Sequence, residues 1–188
     1  MSAKDKIDLE IFKVITSTII KAENLESMGD KLVQVLVSAL GIKGSTIFAL
    51  NPETAELEIM AASGLSMAYV NKGPLLAGKS ISFEANREAV VISDISKTNR
   101  LQYPEYAKEE GIAAVVSVPI TFHNRIIGAL RLYHHEVWDV SEKDLDSIKV
   151  IASNIGVAMM YSRIMNALIA IKSTVSDIHS VWLEPKVE

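Results

Sequence analysis

Apolar residues recur every three or four positions at the start of the chain and predict two helices. In the first stretch the repeating positions are Ile7, Ile11, Val14 and Thr18. Asn24 then has a side chain suited to capping a second helix, whose apolar positions are Leu25, Met28, Leu32, Leu36 and Ala39. Gly41 is expected to end this helix because glycine readily adopts the left-handed conformation found at helix C-termini.

Alternating and apolar runs separated by turn residues predict five strands. They lie at residues 45–50, 56–63, 89–93, 113–120 and 126–135. The turn at residues 51–54 joins the first two strands, and the turn at residues 123–125 joins the last two, so both pairs are expected to be antiparallel hairpins. Between Gly64 and Glu88, glycines and a proline predict mostly loop, with a short helix near residues 66–71. A second small helix is expected around residues 104–110, ended by Gly111.

One long helix is predicted to close the chain. The spacing of Ser141 and Asp144 is that of a capping box, in which the hydroxyl and the carboxylate each accept a hydrogen bond from a free backbone N–H. A first apolar stripe is expected to pack on the sheet: Leu145, Ile148, Ala152, Ile155 and Met159. A second stripe has the alternating spacing of four and three that is typical of helix pairing: Val157, Tyr161, Ile164, Leu168, Ile171, Val175, Ile178 and Trp182.

The predicted length of this helix indicates a partner. About 40 residues before Pro185 would extend about 60 Å, whereas a compact chain of this size is about 40 Å across. An overhanging apolar stripe has to be covered, and a second copy of the chain is the simplest cover. The alternative is a helix that breaks near Ser162 and folds back.

Composition limits the classes of function. The chain has 188 residues, of which 49% are hydrophobic and 22% charged, as expected for a single globular domain. It has no cysteine, which excludes disulfides and thiol chemistry and suits a cytoplasmic protein. The net charge is -4 and no two basic residues are adjacent, so we expect no nucleic-acid partner. The apolar runs are too short to predict a membrane span, and the first ten residues do not resemble an export signal.

Residues 25–160 resemble the GAF family. The similarity lies in the order and spacing of four segments: GSTIFALNPETAELEIMAASGLS, ISFEANREAVVISDIS, EEGIAAVVSVPITFHNRIIGALRLYHH and WDVSEKDLDSIKVIA. The resemblance implies an α+β fold with a central antiparallel β-sheet. The N- and C-terminal helices would cover one face, and loops and short helices would cover a small-molecule pocket on the other. It also implies a regulatory role, in which occupancy of the pocket acts through the end helices on an output protein such as a kinase or cyclase.

Departures from the family's patterns narrow the expected ligands. Cyclic-nucleotide-binding members carry an Asn-Lys pair after the last strand, then a spaced Phe and Asp-Glu. This chain has His134-His135, Val140 and Asp144-Leu145 at those places, so only the Asp matches. Without cysteine, the chain also lacks the thiol that attaches a bilin and the thiol chemistry of the GAF-like methionine sulfoxide reductases. We therefore do not expect those ligands or that activity.

Other motifs have simpler interpretations. Residues 73–80, with Lys79 and a later Asp94, have the spacing of a nucleotide-binding P-loop, but the residues before them do not form a buried strand and Pro74 removes one N–H donor. His134 and His135 could ligate haem or a metal, yet neighbours on a strand point to opposite faces, so we expect solvated histidines, no metal and no bound cofactor. Glu109 and Glu110 are interpreted as a solvated helix face. With no nucleophile elbow or dinucleotide turn, we expect no enzyme.

The candidate pocket residues are polar groups that interrupt apolar strands and aromatic residues near them, since a buried polar group needs a partner that a ligand can supply. They are Phe48, Phe83, Ser93, Asp94, Tyr103, Tyr106, Ser117 and Arg131. Core packing remains the alternative for each aromatic residue, and Arg131 could pair with a neighbouring acid.

The sequence thus predicts three segments. Residues 1–24 form an N-terminal dimerisation helix, residues 25–160 the GAF-like domain, and residues 161–184 a signalling extension of the last helix. The main hypothesis is a homodimeric sensor of a small aromatic or anionic molecule. A ligand-free dimerisation module and a nucleotide-hydrolysing enzyme that uses Lys79 and Asp94 are the alternatives.

Overall fold

The computed structural model describes residues 5–81 and 88–183, and side chains as far as residue 175. Helices α1 (Leu9–Ile20) and α2 (Leu25–Leu40) open the described chain as predicted. The Asp8 carboxylate accepts a hydrogen bond from the Ile11 N–H and the Asn24 side chain accepts one from the Ser27 N–H, which begins each helix. Gly41 ends α2 at a φ of 59°, where a side chain would be strained.

The described strands form one six-stranded antiparallel sheet in the order β3-β2-β1-β6-β5-β4. The strands are β1 (Gly44–Leu50), β2 (Glu56–Ser63), β3 (Leu75–Leu76), β4 (Val90–Ile92), β5 (Ala114–Phe122) and β6 (Arg125–His134). β5 and β6 join through His123 and Asn124, which both have positive φ values as in a two-residue hairpin turn. This architecture confirms the predicted α+β fold and both hairpins.

One face of the sheet packs against the long helices. Leu130 and Leu132 on β6 belong to the main core, together with residues of α1, α2 and the last helix such as Ile15, Leu32 and Ile148. α1 packs on this core as well, since Ile15 is fully buried. Because alternate residues of a strand point to opposite faces, Arg131 lies on the other face of the sheet.

The second face is covered by short elements instead of long helices. They are α3 (Met67–Val70), 3₁₀ turns at Ala77–Lys79 and Ile95–Lys97, and α4 (Pro104–Glu109). Tyr69 of α3 and Ala107 of α4 pack there with Tyr133 of β6 and Val115 of β5. Irregular cover of this kind leaves more room for polar side chains than packed helices do.

Helix α5 (Glu142–Leu183) has 42 residues and extends about 63 Å. The Ser141 hydroxyl accepts a hydrogen bond from the Asp144 N–H, as the capping box predicts. The Asp144 carboxylate also accepts from free backbone N–H groups, but they belong to Lys6 and Ile7 instead of the start of its own helix, each at 2.8 Å. The donors come from the N-terminal segment, which sequence spacing alone could not relate to Asp144.

The two stripes on α5 have different surroundings. In the first, Leu145 is half-buried and the other four predicted residues are buried on the sheet. The described residues of the second are between 52% and 65% exposed: Val157, Tyr161, Ile164, Leu168, Ile171 and Val175. We call these six residues the seam. The helix is unbroken at Ser162, so the fold-back alternative is wrong, and the side chains of Ile178 and Trp182 lie outside the described ones.

The overhang is also apolar by composition. Residues 142–175 are long and hydrophobic enough to cross a membrane, with a mean hydropathy of 1.3 in the scored window. The expectation of no membrane span arose because the apolar residues of this helix are interrupted by polar ones and do not form one run. The same composition is found in core and pairing helices, so it gives weak support for a membrane span.

Candidate functional site

The second face of the sheet is centred on Arg131, which is 6% exposed. Its Nε donates a hydrogen bond to the Ser117 hydroxyl at 3.1 Å, and one terminal nitrogen donates to the Ser80 hydroxyl at 2.7 Å. Its guanidinium carbon lies 5.3 Å from the centre of the Phe48 ring. The predicted residues Arg131, Ser117 and Phe48 are therefore brought together, and Ser80 joins them from the segment that covers the face.

Thr46 adds a second polar group beside Arg131. In the sheet register Thr46 pairs with Arg131, which in turn pairs with Ser117, so the three side chains lie on one face. The Thr46 side chain is buried and its hydroxyl has no hydrogen-bond partner among the described residues. The Ser45 hydroxyl has none either, but it lies on the opposite, helix-covered face. A buried hydroxyl without a partner costs free energy unless something else bonds to it.

Lys72 places another cation at this face. Its Nζ donates a hydrogen bond to the Tyr69 carbonyl at 2.9 Å and lies 3.9 Å from the centre of the Tyr69 ring. Burial and then the nearby Arg131 guanidinium lower the pKa of Lys72 to about 8, and the Glu110 carboxylate opposes this weakly. Burial also raises the pKa of the Tyr69 phenol, with Tyr133 adding to the effect. Lys72 and Arg131 are thus two cations at the same face.

A cleft of about 310 Å³ opens beside Lys72, between β2 and the segment that leads to β3. Phe48, Leu57 and Leu75 line part of it. Phe48 also packs with Leu57, Leu75 and Ala129 in a small buried cluster, against which the predicted residue Tyr103 lies. The Tyr103 hydroxyl donates a hydrogen bond to the Pro74 carbonyl at 2.8 Å. Tyr103 thus holds the covering segment near the cleft.

The other predicted site residues are placed elsewhere. The Asp94 carboxylate accepts hydrogen bonds from Ser96 and forms an ion pair with Lys97, and the hydrogen bond from Ser96 contributes most to lowering its pKa. Ser93 follows β4 and its carbonyl accepts a hydrogen bond from the Trp138 N–H. Tyr106 is exposed, and its ring is T-shaped to that of Tyr103 with 6.1 Å between the ring centres. Phe83 lies outside the described residues.

The segment with P-loop spacing adopts a different conformation. It follows the four-residue helix α3 instead of a buried strand, and it contributes β3 and a 3₁₀ turn. Lys79 is exposed in that turn, while the Asp94 carboxylate binds Ser96 and Lys97. The strand that a phosphate-binding loop requires is missing at residues 67–70, so this geometry gives no support to the nucleotide-hydrolysing alternative.

The prediction of solvated histidines is wrong for His134. Its ring is buried, its Nδ1 accepts a hydrogen bond from the Glu136 N–H at 3.0 Å, and its Nε2 lies 3.2 Å from the Lys6 Nζ. β6 ends at His134, so strand alternation does not apply to His135, whose exposed ring stacks on His134 at 4.7 Å. Donor atoms of His134, His135 and Glu136 lie within 4.8 Å of one another. Both His134 nitrogens already face donor groups, so we assign no metal site to them.

The interpretation of Glu110 as a solvated residue is also wrong. Its carboxylate forms an ion pair with Lys43 at 3.1 Å and accepts hydrogen bonds from the N–H and the hydroxyl of Ser66. Burial acts to raise the pKa of Glu110, but the hydrogen bonds from Ser66 and the contact with Lys43 lower it overall. Glu110 therefore joins α3 to the sheet, which places Tyr69 and Lys72 over the second face.

Sequence reasoning missed Thr46, Lys72 and Ser80. Thr46 could have been predicted as a site residue, because it is a polar residue within an apolar strand, as Ser117 and Arg131 are. Lys72 and Ser80 lie in a segment without periodicity, and only the covering of the sheet brings them to Arg131.

Several solved structures share this fold. The GAF domain of a phosphoenolpyruvate-protein phosphotransferase from Coxiella burnetii is 22% identical, with a TM-score of 0.75 over 85% of this chain and 96% of that one. The corresponding domain from Acinetobacter is 17% identical, with a TM-score of 0.72 over 85% and 96%. A free methionine-R-sulfoxide reductase from Neisseria meningitidis, solved with its substrate, is 19% identical, with a TM-score of 0.71 over 87% and 95%.

These likenesses show the fold, and the sequence itself shows the family. No curated protein sequence matches this chain. The family model described as GAF domain matches residues 22–160, which is most of the chain and close to the predicted range of 25–160. The two hairpins, the covered second face and this match lead to one conclusion: the chain belongs to the GAF domain family.

Proposed function

We propose that this GAF domain is a regulatory sensor that binds a small molecule on the second face of its sheet and relays occupancy through paired α5 helices. The observation that carries the proposal is the alternation of Leu130, Arg131 and Leu132 on β6. Leu130 and Leu132 pack in the core shared with the long helices, while Arg131 lies between them on the other face. A ligand that moves Arg131 therefore acts on the strand that supports the helices.

The cover of the second face supports ligand entry. Short elements and a loop cover Arg131 and Lys72, and a cleft of about 310 Å³ reaches Lys72 and Phe48 from the side. Local openings cost least where cover is irregular and loosely packed. The segment that carries Pro74 and Ser80 is the gate in this proposal, and the pairing of β3 with β2 and hydrogen bonds from Tyr103 and Arg131 hold it in place without ligand.

The seam supports relay through a homodimer. Six apolar residues at heptad spacing are exposed along the overhang of α5, and an apolar stripe of this kind is buried when two helices pair. A membrane is a poorer cover, since Arg163 and Lys172 lie in the same stretch and each charge costs about 3 kcal/mol in a bilayer. We propose that the paired helices act on an output protein, for which a kinase or cyclase is the expected class.

A regulatory role, without catalysis, is part of the proposal. One structural relative is a reductase, but this chain has no cysteine and therefore no thiol for that chemistry. Among the described residues of the second face, Arg131 donates to two serine hydroxyls and Lys72 lies over the Tyr69 ring. These groups can bind a ligand, and in the part of the face that is described they do not pair a nucleophile with a base.

Native mass spectrometry of the freshly purified protein tests the proposal, because one spectrum reports the number of chains and any retained small molecule. A dimer with added mass supports the sensor. A bare monomer that stays monomeric at high concentration contradicts the relay through α5.

The second candidate function is a ligand-free dimerisation module. It is favoured by the packing of Phe48 with Leu57, Leu75 and Tyr103, which fills part of the second face with the protein's own side chains. A bare dimer that binds no small molecule after extensive screening would support this candidate instead.

A further inference from the structure

We propose that the ligand of the second face carries an oxyanion, a carboxylate or a phosphate, and that Arg131, Thr46 and Lys72 bind it. The inference deepens the proposed sensor function and rests on it. It names the chemical class of the ligand and adds two binding residues, Thr46 and Lys72, to Arg131.

Arg131 carries a charge that no carboxylate balances among the described residues. A guanidinium has five N–H donors, and the contacts with Ser117 and Ser80 are made by Nε and one terminal nitrogen, both to neutral hydroxyls. Within residues 5–81 and 88–175, Arg131 forms no ion pair with a carboxylate. Buried charges are normally paired, so this arrangement favours an anion from outside the described protein.

Lys72 places a second cation near Arg131. Lys72 is held over the Tyr69 ring and lines a cleft with Phe48, whose ring centre lies 5.3 Å from the Arg131 guanidinium carbon. The two positive groups therefore oppose each other, which agrees with the lowered pKa of Lys72. Two like charges brought to one face disfavour each other unless a negative charge joins them. An oxyanion between them would remove this repulsion.

Thr46 supports an oxyanion ligand on grounds that do not involve charge. The Thr46 hydroxyl is buried, lies on the face of Arg131 and has no hydrogen-bond partner among the described residues. A hydroxyl can donate to an oxyanion while the guanidinium beside it donates through its own N–H groups. A bound carboxylate or phosphate would therefore satisfy both neighbours at once.

Ser80 explains how the site is closed without ligand. Its hydroxyl accepts from the terminal nitrogen of Arg131 at 2.7 Å, which is the place an oxyanion oxygen would take. Charge-assisted bonds to an anion are stronger than bonds to a neutral hydroxyl. Binding would thus release Ser80 and loosen the segment that carries it.

The test is an NMR titration of the whole chain with sodium acetate and, separately, sodium phosphate, at constant ionic strength set by sodium chloride. The Arg131 Nε–H and Thr46 amide signals report binding. We expect at least one anion to saturate both signals. Saturation by acetate alone indicates a carboxylate ligand, and saturation by phosphate alone or more tightly indicates a phosphate ligand.

Three variants separate binding from structure. Arg131→Gln should weaken binding about tenfold or more, and Thr46→Val about fivefold, given the usual strengths of charged and neutral hydrogen bonds. Arg125→Gln removes the same charge from the exposed end of β6 and should change nothing. Thr46→Val should also raise the melting temperature of the anion-free protein, since it removes an unpaired buried hydroxyl.

The inference is overturned if neither anion saturates the two signals, or if Thr46→Val and Arg131→Gln bind as the wild type does. A neutral molecule found by native mass spectrometry, with no response to anions, would leave the sensor function in place and remove the oxyanion. If the protein binds an anion saturably but never dimerises, the oxyanion site stands and the proposed relay through paired α5 helices is refuted.

Discussion

The carboxylate of Asp144, at the start of α5, accepts the backbone N–H of Ile7 at 2.8 Å across 137 residues of sequence. Its other oxygen accepts the N–H of Lys6, and the Lys6 Nζ donates to the Leu40 carbonyl at the end of α2. The segment before α1 is thereby tied to both α2 and α5. Asp144 itself is 1% exposed, so these bonds are shielded from water.

Asp144→Asn is expected to detach this segment. An amide has one acceptor oxygen and an NH₂ group that would face an N–H donor, so one bond is lost and the other weakened. We expect the free energy of unfolding to fall by about 2–3 kcal/mol, with faster amide hydrogen exchange at Lys6 and Ile7. Asp146→Asn, at an exposed position on the same helix, should leave both measurements unchanged. Equal exchange in the two variants would refute the role given to Asp144.

The seam predicts the oligomeric state. Replacing Leu168 with Glu places a charge at the centre of the proposed helix pair, where it would be buried without a partner. Sedimentation equilibrium should show at least a tenfold weaker dimer. Asn166→Glu adds the same charge two residues away, on the side of the helix opposite the seam, and should dimerise as the wild type does. If Leu168→Glu dimerises normally, the seam is not the interface.

Because His134 is buried, we expect the protein to lose stability in acid. Burial, then the neighbouring Lys6 and His135, lower the pKa of His134 below its usual 6.5, and Glu136 opposes this. The neutral ring is therefore the form that the folded state favours. Its contribution is fully present above pH 6.5 and is lost as the pH falls through the lowered value, by at most about 1.4 kcal/mol per pH unit.

Urea unfolding between pH 8 and pH 5 measures this loss. The charged and aromatic groups around the ring are Lys6, His135, Glu136 and Trp138, with Asp144 reaching it only through the Lys6 backbone. His134→Gln should flatten the pH dependence, while His135→Gln, at the exposed ring, should keep most of it. A wild-type slope that survives in His134→Gln would assign the loss to another group.

Lys72 predicts the pH dependence of anion binding. Its pKa is about 8, so it loses its charge between pH 7 and pH 9, while acetate stays ionised throughout. Binding of acetate should weaken several-fold over this range, because one of the two cations at the face is neutralised. The charged groups near Lys72 are Arg131 and Glu110, which act on its pKa, and Glu56 and Glu58, which line the same cleft.

The matched variant is Lys72→Met, which keeps an unbranched side chain of similar length over the Tyr69 ring. At pH 7 the variant should bind acetate more weakly than the wild type does. Its own affinity for acetate should be the same at pH 9 as at pH 7. A dependence on pH that persists in Lys72→Met would show that a different group controls binding.

Local features of the fold were predictable because short-range chemistry decides them. The Asn24 side chain caps the start of α2, and the left-handed backbone of Gly41 ends it. Neither feature needs a distant residue. The hairpin at His123 and Asn124 depends on the two residues of the turn. Heptad spacing likewise predicted an exposed stripe on α5, and periodicity identified Ile148 and Ile155 as core.

Long-range features were beyond prediction because they depend on which segments meet. His134 looked like a solvated residue at a strand end, yet Lys6 and Trp138 cover it from other parts of the chain. Glu110 looked like part of a solvated helix face, yet Lys43 and Ser66 pack against it. Each error concerns a polar side chain whose surroundings come from segments distant in sequence.

The sequence by itself determined the long helices, five of the six described strands, their order, the family and the seam, since periodicity, caps and turn residues act within a few positions. Only the tertiary structure decided which polar groups share the second face. Arg131, Ser117 and Thr46 meet through strand register, and Ser80 and Lys72 reach them only when the irregular segment closes over the sheet. The hairpin turn fixes the register of Ser117 against Arg131, whereas the pairing of β1 with β6 and the covering segment depend on the burial of the whole sheet, which no local pattern along the chain encodes.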